Sequence, residues 1–203
     1  MKIACFADCH IGAYGRKVDP STGLNSRFLD MIDTIEWIMA DSQQRGCEEV
    51  LIAGDLFRTS RPTPTELVFT DRALESARPV IVIPGNHDQP RTGNEYSAIE
   101  ALHGVTAVTT PRIFDRQGYQ VVAIPYPQKS WFAATRQGYA SMSPEEVDAE
   151  MGLHIANVIR NMASIIDPSQ PSILLAHVSL DCAELGAERG IMAGRDITLP
   201  IEA

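Results

Sequence analysis

The chain is short of basic residues. Against 26 aspartates and glutamates stand 17 lysines and arginines, a formal net charge of −9 over 203 residues. That balance argues against a module that holds nucleic acid through a lysine and arginine surface, although bound divalent cations can supply positive charge locally. Cysteine is scarce too. Cys5, Cys9, Cys47 and Cys182 form no Cys-x-x-Cys pair, which excludes a zinc ribbon or a disulfide framework and fits reduced thiols in a cytoplasmic protein. No apolar run approaches membrane-spanning length, and Met1 is not followed by the basic start and apolar run of a signal peptide. Linkers, tandem repeats and low-complexity segments are absent, so residues 1–203 read as one domain. Hydrophobic content of 44% and charged content of 21% suffice for a core of ordinary size.

What is present is a recurrent strand ending. Val80-Ile81-Val82-Ile83 reads as a buried parallel strand, which Pro84-Gly85 stops abruptly to deliver Asn86, His87 and Asp88 at its carboxyl end. Lys2 to Ala7 leads in the same way into Asp8-Cys9-His10, Val50 to Ala53 into Gly54-Asp55, and Ile173 to Ala176 into His177. Asp and Asn are ordinary turn residues, so one such ending carries little weight. Four together, each bearing a metal-ligand type of residue at the edge where α/β sheets bind ligands, point to a functional site.

The rest of the chain supplies a frame. Ser26 is predicted to cap a helix whose buried face is Phe28, Ile32, Ile35 and Met39, with Gly46 as its stop. A second helix is predicted over about 65–77, capped by Thr65 or Thr63, burying Leu67, Val68, Ala73 and Leu74. A short helix is expected from Asn94 to Leu102, with strands over 105–108 and 119–124. Ser143-Pro144-Glu145-Glu146 is a capping box that opens a helix to about Ile166, in which His154 reads as structural. The loop from Ile11 to Asn25 carries Arg16 and Lys17, which either touch a phosphate backbone or are incidental charge on a solvated loop. Trp131, Phe132 and Tyr139 lie near Lys129 and Arg136, a mixture that can stack on unpaired bases but is more often loop packing.

The series Asp8-x-His10, Gly54-Asp55, Gly85-Asn86-His87-Asp88 and His177 resembles the calcineurin-like metallophosphoesterases. Within them, Asp8-Cys9-His10-Ile11-Gly12 and Gly54-Asp55-Leu56-Phe57 look most like the SbcD-type exonuclease subunit of the SbcCD complex. The resemblance runs over nearly the whole chain and implies a four-layer α/β/β/α fold, a β-sandwich core flanked by helices. It also implies a DNA exonuclease or endonuclease acting with two divalent ions, Mn²⁺ in the first place, with Fe, Zn²⁺ or Mg²⁺ as alternatives. Asp8, His10 and Asp55 would hold the first ion, and Asp55, Asn86 and His177 the second. His87 would face the scissile phosphate and protonate the leaving oxygen, with Asp88 orienting its imidazole. Arg16, Lys17 and Arg58 would contact DNA.

The same resemblance implies a homodimer, with Phe69 a candidate interface residue, and a partner ATPase subunit of the SbcC type. Glu188-Arg189-Gly190 is similar to the family's acidic-arginine loop. The family's final Gly-His-x-His does not follow His177. The chain is therefore expected to be a truncated form, or a natural short one, with weak or metal-hungry activity. Two other readings stand beside the nuclease. One is a nucleotide phosphodiesterase or phosphoprotein phosphatase with the same metal core; the other is an inactive fold kept as a binding subunit.

Overall fold

Period-two alternation along three strands builds the molecule in layers. In β2 (Glu49–Ile52) and β3 (Val80–Val82), Val50, Ile52, Val80 and Val82 face one cluster of buried side chains, while Leu51, Ile81 and the following Ile83 face another. In β6 (Tyr119–Ile124), Val121 and Ala123 share that second cluster, and Val122 and Ile124 turn to a third. The second cluster is thus the interior between two sheets. The computed structural model describes residues 1–90, 95–127, 132, 139–183 and 197–199.

The first sheet is parallel, in the order β1 (Ile3–Phe6), β2, β3, β4 (Thr106–Ala107). The second runs β5 (Arg112–Arg116), β6, β7 (Ser172–Ala176), with β5 antiparallel to β6 and β7 parallel to it. On the outer face of the first sheet lie α1 (Ser26–Gln44) and α2 (Pro64–Ala73), and α3 (Pro144–Ala163) covers the second. This is the four-layer α/β/β/α arrangement that the resemblance implies. A short parallel pair, β8 (Ser179–Leu180) with β9 (Thr198–Leu199), lies beside α3. Among the described residues, no helix is long and apolar enough to cross a membrane.

The helix faces follow the sequence closely. Phe28, Ile32, Ile35 and Met39 are all buried on α1; the expected capping box of Ser143 with Glu146 forms, and Thr63, one of the two candidate caps, forms another with Glu66, each with proline just inside. The cap of α1 is one residue earlier than expected: the Asn25 side chain accepts from the Arg27 and Phe28 N–H groups. An amide oxygen caps as well as a hydroxyl, and Asn25 also ties down the loop before it by donating to the Tyr14 carbonyl. The second and third long helices stop at Ala73 and Ala163, short of their predicted ends, and Val68 is exposed rather than buried. Phe69 packs edge-on against Phe28 at 5.6 Å, a core contact of α1 with α2. In place of the helix from Asn94, a single 3₁₀ turn spans Ala98–Ala101, and Asn94 itself lies outside the described residues. So do Lys129, Trp131, Arg136 and Glu188-Arg189-Gly190, whereas Phe132 and Tyr139 meet each other edge-on.

Two polar ties fasten the second sheet. Glu49, fully buried at the start of β2, accepts from Arg116 Nε at 3.1 Å and Nη2 at 2.7 Å and from the Tyr119 hydroxyl at 3.2 Å, joining the two sheets. Burial above all, then the Glu49 charge, pushes the Tyr119 phenol up to about 12. Gln120 exchanges hydrogen bonds with the backbone of Asp167 just before β7. The Asp167 side chain in turn accepts from Ser169 and Gln170, which holds its carboxyl down at about 2. A depressed carboxyl stabilises the fold above its unfolded value of about 4, and that contribution is lost as pH falls through about 2. Carboxyl-carbon NMR titration is expected to show Asp167 titrating near 2, and Ser169→Ala to bring it back toward the ordinary range.

Candidate metal centre

The strand endings converge at the seam between the sheets. β1, β2 and β3 deliver Asp8, Asp55 and Asn86 from the first sheet, and β7 brings His177 from the second. At two of these endings the backbone enters the left-handed region: φ is 56° at Asp8 and 46° at His10 after β1, and 51° at Asp55 after β2. Such a conformation is costly for a residue with a Cβ, and it is retained here by bonds between the turns. Asp8 N–H donates to the Gly54 carbonyl, His10 N–H to that of Asp55, and Ile11 N–H to that of Leu56. Gly54, at φ 96°, cannot carry a side chain, because a Cβ would lie 2.7 Å from His177 Nδ1 and 2.9 Å from the Gly85 backbone. At Gly85 a Cβ would collide with the Asp55 carboxylate. Both glycines are therefore demanded by the close approach of the turns.

Asp55 is the hub. Its carboxylate is almost fully buried, and among the described residues its ion-pairing partners are imidazoles rather than lysine or arginine. Oδ2 is 3.7 Å from His10 Nε2 and 3.9 Å from His87 Nε2; Oδ1 is 3.6 Å from His177 Nε2 and accepts the His87 backbone N–H at 2.9 Å. Two sets of donor atoms form around it, His10 with Asp55 and His87, and Asp8 with Asp55 and His177. Asp55 belongs to both, as expected of a bridging carboxylate. The partition of the others differs from expectation: Asp8 groups with His177, and His87 enters the set of His10. Asp8 Oδ1 is nevertheless only 3.8 Å from His10 Nε2, so the two sets adjoin.

Hydrogen bonding fixes which imidazole nitrogens face the centre. His177 Nδ1 lies 2.8 Å from the Ala53 carbonyl and His87 Nδ1 2.9 Å from the Arg58 carbonyl. A carbonyl can only accept, so both Nδ1 atoms carry the proton and both Nε2 atoms point inward. His177 Nε2 then faces the Asn86 amide oxygen at 3.1 Å. A divalent cation fits: ligand atoms each about 2.0–2.2 Å from one ion span the observed 3.1–3.9 Å separations. The mixed oxygen and nitrogen set suits Mn²⁺, Fe or Zn²⁺. Cys9 belongs to neither set, and burial, then the Asp8 and Asp88 charges, push its thiol up to about 12.

The remaining candidates separate clearly. Asp88 is fully buried and does not orient His87. Its carboxylate accepts instead from the N–H groups of Leu56 at 3.1 Å, Phe57 at 2.8 Å and Gly85 at 3.0 Å, and the Arg58 carbonyl holds the imidazole. Burial raises its carboxyl against the pull of those three bonds. An aspartate beside a histidine in sequence invites the orienting role, but the turn aims the two side chains apart. Arg58 stacks over the Tyr14 ring at 4.2 Å and donates to the Ala13 carbonyl, so its side chain lies on the rim of the centre. Arg16 and Lys17 are exposed in the neighbouring loop. A cleft of about 510 Å³ is lined by Tyr126, whose ring meets His177 edge-on at 6.2 Å, and by none of the residues of the two donor sets. Sequence reasoning missed Tyr14, whose hydroxyl donates to the His10 carbonyl, and no spacing rule marks a loop tyrosine for that contact.

A family model described as Calcineurin-like phosphoesterase matches residues 1–197. The chain is 24% identical over 184 residues to the DNA double-strand break repair protein Mre11 of Haloferax volcanii, an alignment covering 88% of this chain. It spans 39% of the length of that relative.

Proposed function

Since the chain belongs to the calcineurin-like phosphoesterase family, we propose that it hydrolyses phosphodiesters in DNA, with Asp55 shared between two divalent cations, Mn²⁺ foremost. The observation that carries this reading is the buried Asp55 carboxylate with imidazole nitrogens ranged on both of its oxygens. His10 stands with His87 on one side of Asp55, and Asp8 with His177, which faces Asn86, on the other. When bound, the ions supply electrostatic neutralisation of the phosphate and a hydroxide nucleophile at neutral pH.

The chain's own groups do the rest. His177, locked by the Ala53 carbonyl, keeps its Nε2 lone pair inward, and the strained turns hold Asp8, His10 and Asp55 in fixed relation. His87 holds one proton at Nδ1 against Arg58. A second proton at Nε2 is the one given to the leaving alkoxide, which departs as an alcohol. Arg58, and Arg16 and Lys17 in the neighbouring exposed loop, would take flanking phosphates. The name of the Haloferax relative and the Asp8-x-His10-Ile11-Gly12 context both favour DNA. Residues 1–203 are then a nuclease domain of the SbcD type, working in the cytoplasm as a homodimer beside an SbcC-type ATPase subunit.

The net charge of −9 favours a smaller ester as the second reading. Incubating end-labelled linear duplex DNA and, separately, a generic aryl phosphodiester with the chain and Mn²⁺ distinguishes them. Cleavage of DNA that is lost with Asp55→Ala is the expected result. Turnover of the aryl ester alone would replace the nuclease reading with a nucleotide phosphodiesterase or phosphatase. Turnover of neither substrate at any Mn²⁺ concentration would favour a binding subunit.

A further inference from the structure

The Asp88 carboxylate lies in a concavity of backbone N–H groups. Leu56 and Phe57 supply two from the turn after β2, immediately following the left-handed Asp55, and Gly85 supplies one from the turn after β3, immediately before Asn86. Successive N–H groups after a left-handed residue form a natural anion site, and here the anion is a side chain of the protein. One carboxylate therefore ties together the two turns that present Asp55 and Asn86. The tie is internal, because Asp88 is fully buried, and its own carbonyl is held by the Ser97 hydroxyl at 2.9 Å.

We propose that Asp88 is a positioning residue for the metal centre: its carboxylate holds the Asp55 turn in its strained conformation and sets Asp55 against Asn86. The proposal rests on the reading of Asp55 and Asn86 as metal ligands. Oδ2 serves Leu56 and Gly85 while Oδ1 serves Phe57, so an amide at this position must set an NH₂ against at least one backbone N–H. That leaves a buried donor unmet and opens the clamp. The His87 imidazole is held by the Arg58 carbonyl rather than by the Asp88 side chain.

The test compares the wild-type chain, Asp88→Asn, Asp88→Glu and Asp55→Ala. Mn²⁺ affinity is measured by calorimetry on folded protein, and the pH dependence of aryl phosphodiester or DNA cleavage at saturating Mn²⁺ is measured where cleavage occurs. Asp88→Asn is expected to lose at least tenfold in Mn²⁺ affinity while the alkaline limb of the pH profile, where the general acid loses its proton, stays in place. Asp88→Glu, which keeps the anion but displaces it by one methylene, should lose less, and it decides the matter if the Asn variant does not fold. Unchanged Mn²⁺ affinity with a shifted alkaline limb would return Asp88 to orienting His87. A lowered melting temperature with unchanged Mn²⁺ affinity would make it purely structural, and either result overturns the proposal. If Asp55→Ala binds Mn²⁺ as the wild type does, the metal reading itself fails, a result separate from any behaviour of Asp88.

Discussion

His87→Ala is expected to lower turnover at saturating Mn²⁺ by roughly 10²–10⁴, the usual cost of losing a general acid, while two ions still bind. The imidazole is held from outside by the Arg58 carbonyl, and its Nε2 reaches the centre at its edge, 3.9 Å from Asp55 Oδ2. Removing it leaves the contacts of Asp8, His10, Asn86 and His177 in place. The same geometry admits a sharp alternative, since His10, Asp55 and His87 converge as one candidate ligand set and the His10 and His87 rings meet edge-on at 4.8 Å. Binding stoichiometry separates the two. Loss of one Mn²⁺ together with activity would make His87 a ligand, and a general-acid role would have to be sought elsewhere.

The second large effect concerns stability. Arg116→Ala removes two hydrogen bonds from Glu49 and leaves a buried carboxylate whose remaining side-chain partner among the described residues is the Tyr119 hydroxyl between the sheets. Breaking a buried pair from one side costs about 3–5 kcal/mol; Arg116 retains partial access to water, so a loss of about 2–4 kcal/mol in denaturant unfolding is expected here. Replacing both partners, with Glu49→Gln and Arg116→Met, is expected to recover much of that loss, because no uncompensated charge then remains. Equal destabilisation by the single and double changes would show that Arg116 acts through its packing over Phe114 instead.

These effects also show where sequence reasoning reaches and where it stops. The endings of β1, β2, β3 and β7 were legible because an apolar run cut off by Asp, Gly or Pro-Gly has few other readings, and the residue types that follow are those a cation needs. The seam was not. Nothing local says that β7 joins β6 in a second sheet, so the meeting of His177 with Asn86 is a product of topology alone. β5 was missed since Arg112-Ile-Phe-Asp-Arg116 places charge on both sides of its apolar pair, a pattern that makes sense only once Arg116 has Glu49 to meet. Asp88 was found but given the wrong neighbour. Adjacency in sequence suggested His87, whereas the turn directs its carboxylate to the backbone of a loop more than thirty residues earlier. The buried face of α1 and the Ser143 capping box came through intact, as periodicity and local chemistry decide them without reference to the rest of the chain.

The account turns on Asp55 being shared. Crystals of the chain grown with Mn²⁺ and measured at the manganese absorption edge test this most directly. Two anomalous peaks are expected, one on each side of the Asp55 carboxylate, the first also contacting His10 and the second His177. A single peak that leaves one Asp55 oxygen uncoordinated, or no peak at this carboxylate, would contradict the two-cation site and the hydrolytic reading built on it.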